Sequence, residues 1–308
     1  MSPTITVGLD GSPESRAAAE WAAREARLRG LPLRVLHVRE PEPEARFPAL
    51  PGRNQAPDPE RTGSSDGRWG VLEEAADGLR LRHTGIEVVA DQTDGRAVDV
   101  LVEAAADADL LVLGSRGLGP VGGFLVGSVG LGVVARTERP VVLVRAGEQA
   151  ADEHEPDPAG IPSAATRYRP VLLGVDAARP EDAVIGFAFE EAARRGTGLH
   201  AVHGWNLPPY YVHGLPAAPE LYDEVAAAEA EALTKALQPW RERYPQVEVE
   251  EEPIGGSPSV RLVEASRGAS LVVVGRRIRR GPFGGRIGAL THAVLHHAVA
   301  PVAVVAHE

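Results

Sequence analysis

The chain has 308 residues, about the length of two average domains, and 44% of them are hydrophobic, enough for two cores. A net charge of -11 repels phosphate backbones and anionic membranes, so neither nucleic acid nor a membrane surface is an expected partner. There is no cysteine, which excludes disulfides, iron–sulfur clusters, thiolate zinc sites and cysteine nucleophiles. Ile5–Leu9 reads as a strand, without the basic and apolar regions of a signal peptide, and no apolar run reaches the length of a membrane span. A cytoplasmic location is the expectation.

In chain order, Ile5–Leu9 leads into a well-marked helix. Ser12 is a natural N-cap, Pro13 suits the first helical position, Glu14 complements the helix dipole and Gly30 ends the helix. A second strand holds Leu33–His37, and a long Pro/Gly-rich loop follows, roughly Glu40 to Gly67. Then come a helix (about Arg68–His83), a strand (Ile86–Ala90), a helix (about Ala97–Ala106) and a strand (Leu110–Leu113). A glycine-rich loop leads to a helix at Ser128–Arg136 and a strand at Val141–Val144. The strands are continuous apolar runs, as a parallel sheet covered on both faces requires.

The same landmarks then return in the same order. Val7-Gly8-Leu9-Asp10 is echoed by Leu173-Gly174-Val175-Asp176, Leu33–His37 by Leu199–His203, Leu110–Gly114 by Leu271–Gly275, and Pro140–Val144 by Pro301–Val305. The polar stretch beginning at Gly147 lacks apolar periodicity and reads as a linker. The expected organisation is a first domain over 1–146, a linker over 147–169 and a second domain over 170–308. Each domain is an α/β doubly wound five-stranded parallel sheet with right-handed crossovers and strand order 3-2-1-4-5.

In such a sheet the ligand sits at the carboxyl ends of the strands where the order reverses, here between strands one and four. The Gly8-Leu9-Asp10 turn and the Gly114 loop flank that point. Glycines allow positive φ and close approach, consecutive N–H groups form an anion nest, and Ser128 opens a helix whose free donors favour phosphate. The loop is not a Walker A motif, since Lys235 is the only lysine, and the first strand–helix turn lacks the third glycine of a Rossmann fingerprint. His292 and His296 share a helix face at a spacing zinc ligands can use, but no third ligand or catalytic Glu accompanies them, and ordinary helix histidines account for them.

Gly114, Gly117, Gly127 and Ser128, spaced Gly-x2-Gly-x9-Gly-Ser after an apolar strand, resemble the ATP-binding signature of the universal stress protein family. The resemblance spans both repeats, so the chain looks like a tandem universal stress protein with the adenine nucleotide alpha-hydrolase-like fold. It implies that Asp10 stands beside the nucleotide with Gly8 and Leu9 in the same turn. It implies that Val38 reads the adenine edge through its backbone, that Leu113 and Gly114 lie along adenine and ribose, and that Arg116 and Gly117 begin the phosphate loop. Gly127, Ser128 and Val129 would donate to the phosphates, and Mg²⁺ would bridge phosphate oxygens.

The second repeat departs from the signature: Ile278 stands in place of the second glycine, Gly288-Ala289 in place of Gly-Ser, and Gly204 in place of Val38. Val175, Asp176, Gly275 and Gly288 keep the outline. A β-branched Ile278 would be strained where positive φ is required. Arg276, Arg277, Arg279 and Arg280 could instead grip phosphate directly, or form a solvated charged loop.

The resemblance implies a nucleotide-dependent regulatory or stress-response module, at most a slow ATPase, with no catalytic residue identified. Alternatives are an adenylating or nucleotide-cleaving enzyme of the same superfamily and a dimeric scaffold that does not need nucleotide. The apolar edges Val141–Val144 and Val302–Val305 need covering; by resemblance they pair as an internal pseudo-dimer, and chains can form a homodimer. The loops Arg39–Asp66 and Asn206–Pro219, the latter with Tyr210 and Tyr211, fall at the ligand end and could serve as lids or surfaces for an unidentified protein partner.

Overall fold

A computed structural model describes residues 3–40, 65–115, 127–206, 219–278 and 286–308. The first repeat comprises β1 (Ile5–Gly8), α1 (Pro13–Arg29), β2 (Leu33–Arg39), α2 (Ser65–Arg82), β3 (Val88–Asp94), α3 (Ala97–Ala106), β4 (Leu110–Ser115), α4 (Ser128–Arg136) and β5 (Val141–Arg145). The second comprises β6 (Val171–Gly174), α5 (Asp182–Arg195), β7 (Leu199–Trp205), α6 (Pro219–Arg243), β8 (Val249–Gly255), α7 (Pro258–Ala265), β9 (Leu271–Arg277), α8 (Ala289–His297) and β10 (Val302–His307). One ten-stranded sheet runs through both, in the order β3-β2-β1-β4-β5-β10-β9-β6-β7-β8. Each repeat therefore has the expected 3-2-1-4-5 order.

The join is the antiparallel pairing of β5 with β10, in which Val302 faces Leu143, Ala303 faces Val142 and Val304 faces Val141. Each repeat's apolar edge covers the other's. Side chains from the two ends of the seam fasten it: Arg276 donates to the Thr137 carbonyl and Arg145 to the His296 carbonyl. Helices α1, α2, α5 and α6 pack on one face of the sheet, around Trp21, Phe189 and Leu233. Helices α3, α4, α7 and α8 pack on the other, around Leu101, Val133, Leu262 and Val294.

Local chemistry accounts for the helix ends. The Ser12 hydroxyl accepts from Ser15 N at 3.2 Å, Pro13 opens α1, and Gly30 closes it at φ 64°. The third strand runs further than its apolar stretch indicates, Val88–Asp94 in place of Ile86–Ala90. Its polar end pairs in register with Leu36–Arg39, and Arg34 and Arg39 bind Asp91 and Asp94 across the strands. An edge strand with an outward face tolerates such residues, so hydrophobicity alone underestimates its length.

The connection between the repeats is ordered by charge. Residues Ala150–Glu153 form a 3-10 turn, and His154 bridges to Tyr168. Arg24 of α1 reaches out to this segment, with its guanidinium 2.7 Å from Glu148 and 2.9 Å (Nε) from Glu153. Burial, together with the Glu153 carboxylate beside it, outweighs the pull of Arg24 and pushes the Glu148 carboxyl up to about 8. An unfolded Glu148 titrates near its ordinary 4.5. Above that value the unfolded chain releases a proton that the folded chain keeps, so this group's contribution is complete below pH 4.5 and is lost as pH rises through about 8. Wild-type stability is expected to fall across that window by at most about 1.4 kcal/mol per pH unit from this group. Glu148→Gln, compared by urea unfolding at several pH values, should remove that slope; an unchanged slope would count against the assignment.

A closed ring of charge joins α1 to α5. Glu25 and Arg29 lie one turn apart on α1, Glu191 and Arg195 one turn apart on α5. Arg29 bonds Glu25 at 2.7 Å and Glu191 at 2.6 Å, while Arg195 bonds Glu25 at 2.6 Å and also Glu191. The Glu25, Glu191 and Arg195 side chains are at most 1% exposed. Burial opposes the charge on Glu25, but Arg195 and Arg29 outweigh it and hold that carboxyl at about 2.

Candidate functional site

At the carboxyl ends of β1 and β4 lies a pocket of about 160 Å³ lined by Gly8, Leu9, Asp10, Val38, Leu113, Gly114, Gly127, Ser128 and Val129, among others. It adjoins a groove of about 600 Å³ that shares Leu9, Asp10, Val38 and Val129. Nine of the residues singled out in the first repeat thus border one cavity. Arg116 and Gly117 lie outside the described residues, as do Arg279, Arg280, Tyr210, Tyr211 and most of both long loops.

Each position follows from the fold. Gly8 and Gly114 lie at the inner ends of β1 and β4, and packing requires a glycine at Gly114 while at Gly8 it sets a close approach to movable leucine side chains. A Cβ on Gly8 would stand 2.8 Å from the Leu113 side chain. One on Gly114 would stand 2.6 Å from the Glu14 carbonyl carbon and 2.7 Å from Ser15 N, against helix backbone that has no rotamer to change. The expectation that the loop glycines supply positive φ does not hold at Gly127, which caps α4 at φ -61° and ψ 153°. What Gly127 leaves is a helix start without a side-chain cap or an acidic residue in its first turn, so its outermost N–H groups face the pocket side unneutralised.

The acidic wall is built by the β1–α1 turn. Burial would raise Asp10, but the Ser12 hydroxyl at 2.6 Å and the Ser12 N–H at 3.0 Å outweigh it and keep the carboxyl below its ordinary range. Asp10 is thus an anion held in place across from the α4 N-terminus. The Leu9 carbonyl, 2.7 Å from His37 Nδ1, can only accept, so Nδ1 carries the hydrogen and ties the end of β2 to the same turn. Leu36, Leu101 and Leu113 form the apolar side of the pocket.

Sequence reasoning missed Ser12, Glu14, Ser15, Leu36, Ala97, Leu101 and Gly130 as pocket residues. Ala97 opens α3 straight after β3, where the carboxyl-end rule could have found it; Ser12 was recognised for its cap alone.

The second repeat carries its own cavity, about 560 Å³, bordered by Val175, Asp176, Gly275, Arg276, Arg277 and Gly288. Two expectations are corrected there. Among the described residues no non-glycine residue has positive φ, so Ile278 is unstrained. Its N–H instead bonds the His307 carbonyl and prolongs the β9–β10 ladder. Arg276 does not aim its guanidinium into the cavity: strand alternation turns it to the opposite face from Gly275 and Arg277, where it meets Thr137. Arg179, Arg286 and His307 border the cavity without having been singled out. The His292 and His296 rings are 4.3 Å apart, but no group of three metal-ligating side chains occurs among the described residues.

The fold and its two pockets define a duplicated, doubly wound α/β protein with a cavity at each switch point. The sequence profile of the universal stress protein family matches residues 1–145 and again 167–306. A universal stress protein of Mycobacterium tuberculosis strain H37Rv is 34% identical over 315 residues, covering 97% of this chain and 96% of that protein. One from Mycolicibacterium smegmatis is 32% identical, covering 98% and 96%. The crystal structure of a universal stress protein from Archaeoglobus fulgidus shares the fold over 99% of this chain and 98% of that one, with TM-score 0.66 at 18% identity. The chain belongs to the universal stress protein family, in its tandem form. No described helix is long and apolar enough to cross a membrane.

Proposed function

We propose that the first repeat binds ATP and that the protein is a nucleotide-dependent regulatory module of the stress-response type, with slow hydrolysis or none. The observation that carries this reading is the gathering of Asp10, Val38, Gly114, Gly127 and Ser128 around one pocket with an apolar side and an open helix N-terminus. The leucines suit a flat base, the α4 N-terminus suits phosphate, and Asp10 suits a cation between the two. Mg²⁺ fits this donor set as a companion of the nucleotide, since Asp10 and Glu14 are the pocket's carboxylates and phosphate would otherwise meet an anion. The pocket's described residues include no lysine, arginine or histidine to accelerate phosphoryl transfer.

The test is mass spectrometry of the nucleotide that co-purifies with the chain, with its stoichiometry, in wild type and in Ser128→Ala. Adenine nucleotide at about one per chain is expected, with affinity falling about tenfold or more in Ser128→Ala as a hydrogen bond to a charged group is lost. Absence of nucleotide, no ATP binding in titration, or turnover of many cycles per second would each refute the reading.

A further inference from the structure

The second cavity differs from the first in charge and in shape. Its carboxylates already have partners: Asp176 lies 3.1 Å from the Arg179 guanidinium and Glu181 lies 3.2 Å from His307 Nδ1. Arg277 and Arg286 also border it, and neither has a carboxylate partner among the described residues. In a chain of net charge -11, two arginines at one cavity without a carboxylate partner among the described residues are an excess of positive charge in a defined place.

A second observation points to the same spot. Helix α8 begins there at Gly288, with no side-chain cap and no acidic residue in its first turn. Gly288 has φ -64°, and a Cβ on it would meet no described atom within 4 Å. Neither backbone conformation nor packing requires a glycine, and its effect is to leave the helix donors open to the cavity. The extended β9–β10 pairing sets Arg277 opposite His307 at the rim.

The leucine slot is not repeated at the same positions, and the apolar border of the second cavity comes instead from Val184, Ile185, Ile287 and Leu290. Leu36, Leu101 and Leu113 line the first pocket, but their counterparts Val202, Leu262 and Val274 do not border the second. At the position of Val38, Gly204 is covered by the Pro258 ring, which would lie 2.5 Å from a Cβ there.

We propose that the second repeat holds an oligophosphate chain through Arg277, Arg286 and the N-terminus of α8, without a divalent cation and without reading a nucleoside. Guanidinium groups satisfy phosphate oxygens directly, so the cation that Asp10 calls for in the first pocket has no role in the second. The site does not depend on the first repeat's being an ATP site.

Titration calorimetry of the full chain with inorganic tripolyphosphate in the presence of EDTA tests this. One site per chain is expected, weakened at least about tenfold in Arg277→Gln/Arg286→Gln and unchanged in Ser128→Ala. Both arginines are exposed, so the double variant should keep the wild-type circular dichroism and melting curve. ATP in EDTA should bind this site no more tightly than tripolyphosphate, and adenosine should not bind it. No binding, binding that needs Mg²⁺, equal affinity in the double variant, or ATP at least tenfold tighter than tripolyphosphate at this site would overturn the proposal. Loss of co-purified nucleotide in Ser128→Ala is read separately, so failure at either pocket is distinguishable from failure at the other.

Discussion

Arg195→Ala is expected to lower the free energy of unfolding by about 3–5 kcal/mol, the cost of breaking a buried ion pair and stranding its partner. Arg195 is fully enclosed and bonds both Glu25 and Glu191, which are themselves 1% exposed. Removing the guanidinium leaves two buried carboxylates to share Arg29, which also binds Asp109, while Arg194 reaches Glu191 alone. The ring as a whole need not be stabilising, because desolvating four charges offsets much of their attraction. Replacing all four members with apolar residues of similar size should therefore cost less than Arg195→Ala alone. Denaturant unfolding of the two variants decides this; a single-variant loss below about 1 kcal/mol would show that water or rearrangement rescues the ring. The acid limb follows from Glu25. Its folded value of about 2 lies below its ordinary 4.5, so its stabilisation is complete above pH 4.5 and is lost as pH falls toward 2.

Gly114→Ala should damage fold and pocket together. The added Cβ would press on the backbone of Glu14 and Ser15 at under 3 Å, and no side-chain rotation relieves that contact. Either β4 or the first turn of α1 must move, at a cost of about 1–3 kcal/mol. The same turn holds Ser12, which orients Asp10, so ATP affinity should fall by more than in Ser128→Ala. Gly70→Ala is the opposite case: Gly70 lies inside α2, and a Cβ there meets nothing within 4 Å. That substitution should raise stability by about 0.5–1 kcal/mol. If thermal melts show Gly114→Ala and Gly70→Ala shifting in the same direction, the close-packing account of Gly114 is wrong.

Much of the architecture was legible in the order of apolar runs. The recurrence of Val7–Asp10 as Leu173–Asp176, and of Leu110–Gly114 as Leu271–Gly275, carries the duplication and hence the strand order. Ser12, Pro13 and Gly30 mark α1 because capping is local chemistry. Less local features were hidden. The polar half of β3 is held by Arg34 and Arg39 from the neighbouring strand, which periodicity within β3 cannot reveal. The segment after Gly147 has no apolar pattern because Arg24, 124 and 129 residues away in sequence, is what orders it. At the pockets, spacing located the glycines but not their reasons, since close helix packing and positive φ both select glycine. Arg276, Arg277, Arg279 and Arg280, two on each side of Ile278, looked alike in sequence. Strand alternation separates Arg276 from Arg277, and Arg286 joins the cavity by way of the helix start it precedes.

The β5–β10 seam has a further consequence. Two separate subunits joined along such an edge would part on dilution and would have to be identical, or else find the right mate each time. Here the partner strand is supplied by the same chain, so association is intramolecular and independent of protein concentration. Each repeat always meets the other and never a copy of itself across that edge. Substitutions in one pocket are then not imposed on the other, and the ratio of the two kinds of pocket is fixed at synthesis. A glycine–serine helix start and an arginine-bordered one can coexist as permanent, unequal neighbours, which a symmetric pair built from one short gene could not maintain.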